Sequence, residues 1–113
     1  MKILLAVDGS DYTKKMLAYL TTHDELFSTN NSYTLLTVNP QLPPRARAVV
    51  GKEAVETFHR EESEKVLGPV TKFLLRHGID AKTVSKVGHA GEVISKAADS
   101  GKFDLVVMGS HGH

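Results

Sequence analysis

Lys2-Ile3-Leu4-Leu5-Ala6-Val7-Asp8-Gly9-Ser10, at one end of the chain, and Phe103-Asp104-Leu105-Val106-Val107-Met108-Gly109-Ser110-His111-Gly112, at the other, decide the fold. Each stretch carries an unbroken apolar run that leads directly into small polar residues. A strand with one wet face alternates; a strand buried on both faces does not, and reads like these two. Two such strands, each ending in a polar loop, predict a parallel sheet. In open α/β sheets ligands bind outside the carboxyl ends of the strands, so the two loops mark the candidate site.

Working outward, Lys2 to Val7 is the first strand, and Asp8-Gly9-Ser10-Asp11 breaks it. Ser10 or Asp11 can cap the helix that follows. In that helix Tyr12, Met16, Tyr19 and Leu20 recur at three- and four-residue spacings and predict one core-facing stripe. Ser28-Thr29-Asn30-Asn31-Ser32 is a loop signal. Tyr33 to Val38 is the second strand, rich in β-branched and aromatic residues. Asn39 to Gly51 holds three of the four prolines and two arginines, and reads as a mobile surface loop.

A long helix is expected from about Lys52 to His77, turning Val55, Phe58, Val66, Val70, Phe73 and Leu74 towards the core. Pro69 cannot donate a hydrogen bond to the carbonyl of Lys65, so a kink is expected there. Gly78 suits the position just past the helix C-terminus. Ile79 to Val87 alternates with few strong hydrophobes, as a half-exposed edge strand does. Gly91 to Ser100 reads as a short helix with Val93, Ile94, Ala97 and Ala98 inward, Gly101-Lys102 as its stop, and Phe103 to Met108 as the fourth strand. The order βαβαβαβ implies a parallel sheet with right-handed crossovers. With the strands in the order 3-2-1-4, Asp8 and Gly109 flank the point where the winding reverses. Val38 then sits beside Asp8 and can offer backbone groups to a planar base.

Composition narrows the function classes. The 113 residues are 41% hydrophobic and 24% charged, ordinary for a globular domain. Fourteen Lys and Arg nearly balance thirteen Asp and Glu for a net charge of +1, without the basic excess of a nucleic-acid binder. Cysteine is absent, which removes disulfides and thiolate metal sites. No apolar stretch approaches the roughly 20 residues that cross a bilayer. The first strand begins at once, leaving no room for a leader. A soluble cytoplasmic protein is the expectation. The run Leu105 to Met108 is more apolar than an edge strand tolerates. A further helix and strand, not included in these residues, are therefore expected beside it.

The chemistry-bearing residues each admit two readings. Asp8 is either a carboxylate that accepts hydrogen bonds from a ligand's base or sugar, or a turn and capping residue. Gly109-Ser110-His111-Gly112 is either a concavity of backbone N–H groups for phosphate or an ordinary strand-to-helix turn. No Walker Gly-x-x-x-x-Gly-Lys-Ser/Thr and no Rossmann Gly-x-Gly-x-x-Gly after the first strand is present. His111 and His113 lack a supporting cluster and read as a solvated loop, not a metal site. His89 precedes a helix, while His23, His59 and His77 read as helix-surface residues. Glu61-Glu62-Ser63-Glu64-Lys65 is a solvated helix face. No nucleophile arrangement is recognisable, and nothing demands catalysis.

Ile3-Leu4-Leu5-Ala6-Val7-Asp8-Gly9-Ser10, Gly88-His89-Ala90-Gly91-Glu92-Val93-Ile94 and the closing Phe103-to-Gly112 stretch resemble the universal stress protein family over the whole chain. The resemblance implies an open parallel α/β sheet of order 3-2-1-4-5 with helices on both faces. Residues 1–113 would form one such domain lacking its last helix and fifth strand. It also implies a homodimer formed through that strand. Members carrying Gly-x2-Gly-x9-Gly-Ser/Thr bind ATP, and here Gly109 and Gly112 match the first two glycines.

Carried over, Asp8 would meet ribose or adenine, Val38 the adenine through its backbone, and Ala6 and Val7 would line the base. Met108, Gly109, Ser110, His111 and Gly112 would wrap ribose and phosphates, with or without Mg. Two functions follow as expectations. One is an adenine-nucleotide (ATP) binding module of the stress response, at most a slow ATPase. The alternative is a dimeric interaction or chaperone-like protein that binds no nucleotide. An adenylate-forming or redox enzyme would need an added substrate domain or a cofactor fingerprint.

Overall fold

The computed structural model describes residues 1–23, 28 and 30–109. Among them the elements run β1 (Lys2–Val7), α1 (Asp11–Thr22), β2 (Ser32–Asn39), α2 (Pro44–Val50), α3 (Lys52–Arg76), β3 (Lys82–Val87), α4 (Ala90–Ser100) and β4 (Leu105–Gly109). The strands form one parallel sheet in the order β3-β2-β1-β4.

β1 is central because five consecutive residues, Ile3 to Val7, can be buried nowhere else. Ile3, Leu5 and Val7 point to one face, where Tyr33 and Leu35 of β2 join Met16 and Leu20 of α1 and Leu67, Val70 and Leu74 of α3. Leu4 and Ala6 point to the other, where Leu36 meets Ile94 of α4. Helices therefore cover both faces, α1 and α3 on one and α4 on the other. Each fully buried Leu or Ile contributes about 1.5–3 kcal/mol relative to an exposed one. β1 and β2 supply most of these residues.

The structure departs from the sequence reading in five places. Tyr12 and Tyr19 are 50% and 48% exposed, and the core stripe of α1 is Thr13, Met16 and Leu20. The segment expected to be all loop contains α2, started by Pro44 at a first helical turn, where a missing N–H costs nothing. Phe58 is 46% exposed, since the buried residues of α3 begin only at Ser63. Ile79 is buried but precedes β3, which starts at Lys82. His59 is half-buried, its Nε2 withdrawn from solvent, and is no surface residue.

The stop after α3 is as read. Gly78, at φ +76°, lets its own N–H reach the carbonyl of Leu75 and that of Ile79 reach Leu74. α3 runs through Pro69 without ending. Lys65 and Pro69 are both exposed, so water can serve the carbonyl that Pro69 leaves without a donor.

Candidate functional site

β1 and β2 run in one direction of winding and β4 returns to the far side of β1, so the reversal falls between β1 and β4. Their register brings Ala6 opposite Met108 and Val7 opposite Gly109. On the other flank Ala6 pairs with Leu36, which puts Asp8 and Val38 two residues further along at the same rim. The sequence-predicted residues Asp8, Val38, Met108 and Gly109 thus share one rim. Ala6 and Val7 lie just beneath it, their side chains packed into the two cores. Ser110, His111 and Gly112 lie outside the described residues.

Asp8 is exposed, and its Oδ1 accepts the N–H of Ser10 at 2.9 Å. Ser10 Oγ in turn accepts the N–H of Tyr12 at 3.2 Å and caps α1. The local role of Asp8 in the turn is therefore real. Gly9 between them has φ +78°, a region costly for residues with a Cβ.

Thr13 holds the rim together. Its Oγ1 accepts the N–H groups of Asp8 and Gly9, each at 3.1 Å, and donates to the carbonyl of Gly109. One buried hydroxyl so ties the first strand-to-helix turn to the last residue of β4. The close approach requires glycine at 109: a Cβ there would lie 2.9 Å from Met16 Sδ and 3.1 Å from Thr13 Cα. The contact of α1 with β4 is thus a sufficient structural reason for Gly109. Sequence reasoning missed Thr13. Its signal was a hydroxyl at the head of the Met16–Leu20 stripe, where every other inward residue is apolar.

One strand further along the rim, the N–H of Gly88 donates to the carbonyl of Asn39 at 2.9 Å and extends the β2–β3 ladder. Beyond it lies a hollow of about 340 Å³ lined by Pro40, Leu42, Arg47, Gly88 and His89. His89 is the exposed residue before α4, as expected. His23 and His77 end α1 and α3, with their Nδ1 atoms 2.9 Å from the carbonyls of Tyr19 and Phe73. Among the described residues no three His, Asp or Glu side chains gather as metal ligands, and no helix is long and apolar enough to cross a membrane.

The universal stress protein family model matches residues 1–113. A universal stress protein of the cyanobacterium Synechocystis is 30% identical over 112 residues, which are 99% of this chain and 33% of that protein. The chain therefore spans about a third of that curated relative. Among solved structures, the hypothetical protein MJ0577 superposes with a TM-score of 0.75 at 27% identity, covering 99% of this chain and 76% of that one. A universal stress protein family protein from Arabidopsis thaliana, solved with AMP bound, superposes with a TM-score of 0.68 at 18% identity, covering 99% and 78%. A universal stress protein in complex with cAMP does so at 0.55 and 18% identity, covering 94% and 73%. With the family model matching residues 1–113 and the strand order in place, this chain belongs to the universal stress protein family.

Proposed function

We propose that this chain binds an adenine nucleotide at the rim where β1 and β4 end. The observation that carries the reading is the exposed Asp8 carboxylate standing one strand from Gly109 at the winding reversal, with both backbones clamped by Thr13. Proteins of the same fold hold AMP and cAMP, which supports the same ligand class here. The residues fit such a ligand in two respects. Asp8 supplies an acceptor for ribose hydroxyls or the adenine amine, and glycine at 9 and 109 keeps the rim low enough for close backbone approach.

In this reading Val38 meets the adenine edge through its backbone, Ala6 and Val7 shape the floor, and Met108 and Gly109 flank the ribose. The family resemblance would assign Ser110, His111 and Gly112 to the phosphates. ATP is the proposed ligand, and any Mg would travel with its phosphates. Occupancy would bias conformation or partner choice in a stress response. At most slow hydrolysis is expected, since no general base is recognisable beyond Asp8 among the described residues.

Calorimetric titration of the full-length protein with ATP and with AMP tests this. Saturable heat is expected, and Asp8→Ala should weaken it roughly tenfold, the value of one hydrogen bond to a charged group. A wild-type protein that gives no heat with either nucleotide overturns the reading. The exposure of Val49 at 85%, with Val50 of α2 and Phe58 of α3 exposed as well, favours the second reading, an interaction protein. Self-association by light scattering that Val49→Asp abolishes would support it.

A further inference from the structure

Asp8-Gly9 is the only place in the sequence where an Asp or Asn precedes a glycine. Glycine has no Cβ to shield its own backbone nitrogen, so in such a pair that nitrogen can reach the side-chain carboxyl carbon before it. The Gly9 nitrogen would bond to Asp8 Cγ, and its proton would leave with the carboxyl hydroxyl as one molecule of water. The product is a cyclic succinimide. Water then reopens the ring: attack at the former side-chain carbonyl restores aspartate, and attack at the main-chain carbonyl leaves isoaspartate. No oxidant and no reactant other than water is needed.

Asp8 and Gly9 are both exposed, so water reaches them. The two reacting groups are nevertheless held. The Gly9 N–H donates to Thr13 Oγ1 at 3.1 Å, and Asp8 Oδ1 accepts the Ser10 N–H at 2.9 Å. The same Thr13 hydroxyl stands 3.3 Å from Asp8 Oδ1, so it touches both partners of the reaction. An amide nitrogen attacks only after shedding its proton to solvent, and a hydrogen-bonded amide sheds it only when the bond opens. Thr13 is not free to let go. It is buried, it accepts the Asp8 N–H as well, and its own proton goes to the carbonyl of Gly109. Two acceptor sites and one donor are the whole capacity of a hydroxyl, and all three are used here. Opening the Asp8-Gly9 turn therefore means breaking the tie between α1 and β4.

We propose that Asp8-Gly9 is a latent site of isoaspartate formation, and that the Thr13 hydroxyl keeps it as aspartate. Isoaspartate adds one carbon to the main chain and sets the free carboxylate directly on Cα. The Ser10 turn and the Thr13 bonds cannot all be remade around that geometry. The rim would lose its carboxylate position through a slow reaction of the chain itself.

The test is ageing of the full-length protein in ¹⁸O-labelled water at neutral pH and physiological temperature, with peptide mapping of label and isoaspartate at residue 8. No nucleotide is present, so the outcome is independent of the nucleotide reading. Native wild type is expected to isomerise far more slowly than the same chain unfolded in guanidinium chloride. Thr13→Val should age roughly tenfold faster than native wild type, the worth of the hydrogen bonds lost at the Asp8 and Gly9 amides. Thr13→Ser keeps the hydroxyl and should age like wild type. Leu74→Ala, in the last turns of α3, lowers stability without touching the turn and should also age like wild type. Equal rates for native and unfolded wild type would overturn the proposal. So would a Thr13→Val rate no faster than wild type, or a Thr13→Ser or Leu74→Ala rate as fast as that of Thr13→Val. The comparison of native with unfolded wild type needs no variant, so it decides even if Thr13→Val fails to fold.

Discussion

The two sides of the sheet are held by opposite means. Between β1 and β4, backbone touches backbone: Gly109 has no side chain, α1 lies against it, and one threonine hydroxyl bonds three main-chain groups. At β3 every residue except Val84 is exposed, the Ser63 and Ser85 hydroxyls make the meeting with α3, and an open groove of about 720 Å³ remains between helix and strand. Closeness bought with glycine fixes a shape; a gap bridged by hydroxyls stays open. The rigid side presents a rim, and the loose side presents a groove.

Core truncation gives the largest contrast. Leu35→Ala, at a fully buried position of β2, is expected to cost about 2–5 kcal/mol, whereas Val87→Ala on the exposed edge should stay within about 0.5 kcal/mol. Urea midpoints measure both, and comparable losses would break the comparison.

Gly109→Ala should follow at about 1–3 kcal/mol, because the new methyl meets the Thr13 backbone and α1 must move. The same change should weaken nucleotide binding if the rim carries it. A Gly109→Ala protein with unchanged melting would show that α1 is not seated as described.

Thr13→Val keeps the volume and removes the hydroxyl. It leaves two N–H groups and one carbonyl at the rim without their partner, an expected loss of about 1–3 kcal/mol by thermal melting. Ser63→Ala is the matching change on the loose side and should cost less, since the Asn39 amide keeps its bond to the His59 carbonyl.

The smallest effect concerns pH. Burial raises the pKa of Tyr33 above its ordinary value of about 10, opposed by a hydrogen bond with Asn31, while its hydroxyl donates to the carbonyl of Ser28 at 2.7 Å. The folded chain therefore holds this proton more tightly than the unfolded chain. Its contribution is whole below about pH 10 and is lost as pH rises through the raised folded value. Tyr33→Phe should flatten the fall in melting temperature above pH 10, and an identical slope would remove Tyr33 from the account.

The same contrast governs what the sequence disclosed. β1 was legible because Ile3 to Val7 leaves no polar face to misplace, and β4 because its register follows from β1. The neighbourhood of Asp8 and Gly109 follows from strand order alone. Thr13 was invisible because apolar periodicity scores hydroxyls as absences, and Tyr12 and Tyr19 took its place in the stripe. α2 was hidden by its own proline, a residue that stops helices inside and starts them at the first turn. The hydroxyl chain from Asn39 through Ser63 to Ser85 joins three separate elements, and no local spacing encodes that meeting. His59 looked exposed because Glu56, Arg60, Glu61 and Glu62 lie close to it along the helix.

α3 is about 37 Å long at 1.5 Å per residue, yet its buried residues all fall after Glu62. Its first three turns bury no whole residue, and besides hydrogen bonds within the helix they are held by α2 and by the Asn39 amide on the His59 carbonyl. Amide exchange should therefore divide one continuous helix into two regimes, with residues 52–62 trading protons by fraying and residues from 66 onward only when the whole sheet opens. The arm can melt and reform at the cost of the Asn39–His59 bond, without parting the apolar core beyond Glu62.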